Sequence, residues 1–122
     1  MIYHITTHKE WEKALLEGEY SSPSIKSDGF IHCSMLNQIT DTANIFFKGQ
    51  NGLVLLCIEE KKLKSVYKFE SPAGGGSVNP DSRADNLFPH IYGTINKSAI
   101  IKVVDFPLND KGLFELPADF KN

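Results

Sequence analysis

Apolar and polar positions alternate at the start of the chain. Ile2, His4 and Thr6 share one parity and Tyr3 and Ile5 the other, which predicts a short strand over 2–6. The period then lengthens. Thr7 stands three residues before Glu10, the spacing of a capping box, and Trp11, Ala14 and Leu15 recur at i, i+3 and i+4 before Gly18. A helix between Thr7 and Gly18 is expected. Residues 20–28, rich in Ser with one Pro, read as a loop, and Phe30–Cys33 as a second strand. Ser34 is placed to cap a second helix with the stripe Ile39, Ala43, Phe46 and Phe47, stopped at Gly49. The unbroken apolar run Leu53–Ile58 suits a strand covered on both faces. Ser65–Glu70 and Ala99–Phe106 are further strands, and Phe88–Gly93 reads as extended. Between them, Ser71–Asn86 has the Pro, Gly, Asn and Asp content of a long loop, and 108–122 reads as an extended, weakly specified tail. Two early helices among about five strands give an α+β class, with connections too irregular for a doubly wound parallel sheet.

Composition narrows the class further. At 122 residues a single domain over 1–122 is expected. With 41% hydrophobic and 23% charged residues, the chain falls among globular proteins rather than disordered ones. Its longest apolar run, 53–58, is too short to span a bilayer, and no basic stretch precedes an apolar one at the N-terminus. A cytoplasmic protein without a membrane partner is expected. The net charge of −2, dispersed lysines and a lone arginine, Arg83, argue against nucleic acid as a partner. Cys33 and Cys57 sit in apolar runs without a CxxC pattern and read as buried free thiols. The triplet Gly74–Gly76 has no strand before it and no helix after it, so it is a loop and not a phosphate cradle.

Three histidines carry the candidate chemistry. By strand parity His4 shares a face with Thr6, His32 with Phe30 and Ser34, and His90 with Phe88 and Tyr92. Each therefore keeps company with an aromatic, a hydroxyl or both, the make-up of a small-molecule cleft. The alternatives are three core histidines bonded to backbone, or a metal site built from them. Against a metal, Cys33 faces away from His32 and no two histidines have chelating spacing, so no metal ligands are assigned. His8, at the start of the first helix, reads as a surface residue.

The motifs IYHIT at 2–6, GFIHCS at 29–34 and FPHIYG at 88–93, with the closing GLFELP, resemble the family called domain of unknown function 952. The likeness runs from Ile2 to Pro117. Members of that family resemble ADP-ribosyltransferases, which implies a split, two-sheet ADP-ribosyltransferase-like domain whose cleft, in active relatives, holds NAD. The resemblance implies a transferase that binds or cleaves NAD or a related ADP-ribose nucleotide, NAD being the substrate. Cleaving the nicotinamide–ribose bond passes through an oxocarbenium-like state and calls for a ribose clamp, an aromatic platform and a carboxylate. The resemblance gives His4 the clamp role. Tyr92 or Phe88 fits the platform and Glu70 the carboxylate. His32 and His90 would bind sugar hydroxyls or phosphate, or serve as general acid and base, with Thr6 and Ser34 adding hydroxyls on the same faces. The scarcity of arginine speaks against the RNA substrates of the related tRNA 2′-phosphotransferases. A non-catalytic module binding a nucleotide or small metabolite is the alternative function.

Overall fold

The computed structural model describes residues 1–72 and 87–120. Apart from Ser71 and Pro72, the loop expected over 71–86 lies outside the described residues. The chain opens with β1 (Ile2–Thr7) and turns directly into α1 (His8–Glu17). Thr7 caps that helix, its hydroxyl accepting the Glu10 N–H at 3.0 Å, and Gly18 ends it in the left-handed region (φ +86°), donating to the Ala14 carbonyl. Only Ala14 of the predicted stripe is fully buried. Trp11 packs partly against the core, and Leu15 is 48% exposed.

The segment expected to be a loop over 20–28 contains two short elements, β2 (Glu19–Tyr20) and α2 (Ser24–Asp28). One turn of helix is too short to show a 3.6-residue period, and Pro23 and the serines mask it. Serine chemistry still shapes it: the Ser24 hydroxyl donates to the Phe30 carbonyl at 2.7 Å, aiming the chain into β3 (Ile31–His32). Ser34 does not cap the next helix, which starts only at Ile39; its N–H and carbonyl instead pair with Tyr3. A 3-10 turn over Leu36–Gln38 intervenes, with the Gln38 side chain accepting the Met35 N–H, and α3 (Ile39–Phe46) follows. Ile39 and Ala43 are buried as predicted, whereas Phe46 is 74% exposed.

The remaining strands are β4 (Leu53–Ile58), β5 (Val66–Glu70), β6 (Phe88–Tyr92), β7 (Ile95–Asn96) and β8 (Ile100–Asp105). They form three antiparallel sheets among the described residues: β1-β4-β8, β3-β6-β5 and the ribbon β2-β7. The α+β class holds. Two details of the expectation do not: the described residues form three sheets rather than two and three α-helices rather than two early ones. The missed elements are two to five residues long, below what periodicity resolves.

Every residue of β4 is buried because the first sheet separates two cores. On one side Ile2, Val54, Leu56 and Ile58 meet Ile31, Cys33 and Ile91 of the second sheet and Ala14 of α1. On the other side Tyr3, Ile5, Leu53, Leu55 and Cys57 meet Ile39 and Ala43 of α3 and Phe106 and Phe114 of the C-terminal segment. Both cysteines are free and buried, and burial raises both thiols, Cys57 to about 11. No helix among the described residues is long and apolar enough to cross a membrane.

The C-terminal segment is more specified than its sequence suggests. Phe114 is 2% exposed, and Leu108 bridges to it across a tight return. Asn44 on α3 acts like a neighbouring strand: its side-chain amide donates to the Phe114 carbonyl at 3.1 Å and its side-chain oxygen accepts the Phe114 N–H at 2.8 Å. Truncating Asn44 to Ala leaves both backbone groups without these partners, at a cost of about 1–3 kcal/mol. Chemical denaturation should show that loss, and limited proteolysis should cut the Asn44→Ala tail first; unchanged stability and cleavage would show that Asn44 does not anchor the tail.

Candidate functional site

The first and second sheets meet edge to edge at a single bridge. Tyr3 N–H donates to Ser34 O at 2.9 Å, and Ser34 N–H to Tyr3 O at 2.7 Å. The bridge sets His4, one residue further on β1, against the backbone of His32. His4 Nδ1 donates to the His32 carbonyl at 2.6 Å. The Tyr20 hydroxyl lies 2.8 Å from both His4 Nε2 and Thr6 Oγ1. An imidazole whose Nδ1 proton goes to a carbonyl has, when neutral, only a lone pair at Nε2. The single Tyr20 proton is therefore shared between two acceptors, Thr6 Oγ1 and the His4 Nε2 lone pair. Burial favours the neutral ring and pushes the His4 pKa down to about 4, against the partial compensation of the His32 carbonyl. Burial likewise lifts the Tyr20 hydroxyl to about 12.

His32 and His90 face each other directly across β3 and β6. Phe30 packs on both: its ring lies 4.0 Å from the His90 ring, nearly parallel at 22°, and 4.7 Å from that of His32. The two imidazoles themselves are edge-to-face at 5.4 Å. Each has its own carboxylate. His32 Nε2 donates to Asp28, four residues earlier at the end of α2, at 2.8 Å, and both side chains are about half exposed. His90 is 1% exposed, and its Nδ1 donates to Glu70 Oε1 at 3.1 Å. The Tyr92 hydroxyl donates to the same Glu70 oxygen, and the Lys68 ammonium lies 5.1 Å above the Tyr92 ring.

The charge state of this group follows from competing effects. Burial opposes ionisation of Glu70, but hydrogen bonds from Tyr92 and His90 outweigh it and hold the carboxyl below its ordinary pKa. Burial also lowers His90, more than the Glu70 contact raises it. The Glu70 hydrogen bond, then burial, push Tyr92 up to about 12. Near neutral pH the arrangement is therefore an ionised Glu70 accepting from a neutral His90 and a protonated Tyr92.

A cavity of about 530 Å³ opens between these elements. Six of the eight sequence-predicted site residues line it: His4, Thr6, His32, Ser34, Phe88 and His90. Glu70 and Tyr92 are not on its wall; they hold His90 in place. With both ring nitrogens engaged inside the protein, His4 can give a nitrogen to a ligand only by breaking one of those bonds. Sequence reading missed Tyr20 and Asp28 and assigned Phe46 and Phe47 to packing, although Tyr20, Phe46 and Phe47 also line the cavity. The Asp28–His32 spacing was the one available signal; Tyr20 gave none, since its strand is two residues long. Glu10 is the only carboxylate on the described wall, which carries no Lys or Arg. His8 is exposed, as expected, and pairs with Asp105 at 3.1 Å. Among the described residues no three His, Cys, Asp or Glu side chains are grouped to hold a metal ion.

A family model described as a protein of unknown function, DUF952, matches residues 5–103. The chain belongs to the DUF952 family. Solved structures of protein CC0527 from Caulobacter crescentus are similar to this member. One crystal structure is 34% identical with a TM-score of 0.77, covering 94% of this chain and 93% of that one. A solution NMR structure of the same protein is 32% identical with a TM-score of 0.69, covering 94% and 91%. Among curated proteins none matches this DUF952 chain.

The buried neutral His4 makes stability depend on pH with a definite sign. The unfolded chain takes up a proton on His4 near pH 6.5, whereas the folded chain does so only near pH 4. Its contribution is whole above 6.5 and is lost as the pH falls from 6.5 towards 4. Between about pH 7.5 and about pH 5 this residue accounts for about 2 kcal/mol of lost stability. Urea titrations of the native chain and of His4→Phe should differ by that amount in the stability lost between those two pH values; equal losses would show that His4 is not held neutral.

Proposed function

We propose that the cleft binds a nucleoside-sized small molecule and that His90, oriented by Glu70, acts on it as a general base. The observation that carries this reading is the Glu70–His90–Tyr92 group. A buried imidazole with one nitrogen tied to an ionised carboxylate has a fixed tautomer and a fixed orientation, and its second nitrogen is a lone pair near neutral pH. The cavity volume lies within the range of small-ligand sites.

NAD or a related ADP-ribose nucleotide is the ligand class that the resemblance to ADP-ribosyltransferases suggests. The wall charges favour only part of such a molecule. A pyrophosphate beside Glu10, with no Lys or Arg on the described wall, would be desolvated without compensation. The nicotinamide–ribose end is the part that suits the cleft, with the aromatic ring among Phe46, Phe47 and Phe88 and the phosphates left towards solvent. Cleavage would then rely on His90 rather than on a direct carboxylate, since Glu70 Oε1 already accepts two hydrogen bonds. That same engagement favours the second reading, a non-catalytic binding module of the same fold.

Calorimetric titration with NAD, ADP-ribose and nicotinamide riboside, followed by assay for released nicotinamide, separates the readings. Micromolar to millimolar binding, weakened at least ~10-fold by His90→Gln with the fold intact by circular dichroism, is expected. Release of nicotinamide that falls as the pH drops below the ordinary histidine range fits catalysis by neutral His90. Binding without release leaves only the module. Ligand affinities indifferent to His90→Gln would remove the site.

A further inference from the structure

The carboxylate partners of His32 and His90 decide which chemistry the cleft offers between them. Asp28 takes the Nε2 proton of His32, and Glu70 takes the Nδ1 proton of His90. A neutral imidazole has one N–H and one lone pair. Once a carboxylate has claimed the N–H, what remains for a ligand is an acceptor, His32 Nδ1 on one strand and His90 Nε2 on the other. Neither atom makes a hydrogen bond to a described residue, and both residues line the cavity.

Their separation is set by the backbone. His32 and His90 are paired in register, so their side chains leave the sheet from opposite positions on one face. The rings are 5.4 Å apart, and Phe30 wedges against both at 4.7 and 4.0 Å. With ring centres that close, an acceptor on each ring can take a hydrogen bond of ~2.8 Å from donors on adjacent atoms of a ligand placed between them. An anion there would meet two lone pairs, with Glu10 elsewhere on the same wall and no Lys or Arg among its described residues.

We infer that His32 and His90 form a two-acceptor clamp for a vicinal diol, the paired hydroxyls of a sugar, rather than for a phosphate group. The inference rests on the small-molecule reading above and adds the ligand's functional group. It makes His32 a specificity-determining residue with no necessary part in proton transfer. The clamp also accounts for an otherwise unneeded feature: Asp28 holds a half-exposed histidine in a fixed orientation at the edge of the cleft. The His32 backbone carbonyl, which His4 requires, survives any change of the His32 side chain.

The test compares adenosine with 2′,3′-dideoxyadenosine and inorganic phosphate, by calorimetry and by histidine ring-nitrogen NMR, above the ordinary histidine range at about pH 8. Adenosine should bind at least ~10-fold more tightly than the dideoxy compound, since each lost hydroxyl leaves an acceptor unpaired. Adenosine, but not phosphate, should shift the His32 Nδ1 and His90 Nε2 resonances. His32→Ala should bring adenosine affinity close to the dideoxy level and leave dideoxyadenosine binding unchanged, with the fold intact by circular dichroism. Equal affinity for both nucleosides, displacement of adenosine by phosphate, an unchanged ratio in His32→Ala, or no adenosine binding up to about 10 mM would each overturn the clamp. Binding lost in His90→Gln but indifferent to the hydroxyls sinks the clamp and keeps the cleft reading; binding indifferent to both residues sinks both.

Discussion

The contact between β1 and β3 is the constraint on which the cleft depends. Two sheets that share no strand are joined there by one pair of backbone hydrogen bonds, Tyr3 with Ser34, and by the His4 side chain reaching the His32 carbonyl. A backbone bridge alone would leave the sheets free to hinge. His4 adds a third, charge-free bond from a ring that is itself held on its far side by the Tyr20 hydroxyl, which Thr6 fixes in turn. In a site this buried each of these bonds is worth more than at the surface, because water cannot substitute for the lost partner. The position of His32 relative to β1 follows from them, and through the β3–β6 register so does that of His90.

The parts of this architecture legible in the sequence are those with a long enough repeat. β1, the capped and Gly-terminated α1, and the doubly buried β4 each give a clear pattern, and the structure has them within a residue or so of the expected bounds. β2, β7 and α2 give no such pattern: two residues show no period, and a single helical turn beside Pro23 and the serines shows none either. Amphipathic stripes also overstated burial. Leu15 and Phe46 occupy core positions of their helices by spacing, yet α1 and α3 each bury a narrow line of side chains and leave these two exposed.

The candidate site divides in the same way. Strand parity is a local property, so it correctly put His4 with Thr6 and His32 with Phe30 from the sequence alone. The contact between Glu70 and His90 is not local. In the β5–β6 register His90 lies opposite Lys68 and Glu70 lies opposite Phe88, so the two meet diagonally across the ladder. No spacing within the sequence encodes that register. Read in isolation, a glutamate at the end of a strand next to Ser-Pro looks solvated; its 5% exposure and two donors come entirely from what pairs with its strand.

Held by different means, the three histidines have different chemical freedom. His4 has both nitrogens engaged, is buried, and resists protonation until about pH 4, so it contributes rigidity. His90 has one nitrogen engaged and is just as buried; its remaining lone pair is presented without reorganisation, the condition under which an acid–base group is most effective. His32 has one nitrogen engaged but is half exposed, so its remaining nitrogen is not locked inside the fold. A gradient from locked, to poised, to solvent-facing runs across the β1–β3–β6 contact. Moving a carboxylate from His90 to His4 would reverse it, since a buried His4 beside a negative charge would hold its proton at neutral pH and its tie to Tyr20 would change direction. Among these three, the assignment of carboxylates to His32 and His90 alone is therefore what separates the framework histidine from the two that keep a nitrogen free of it.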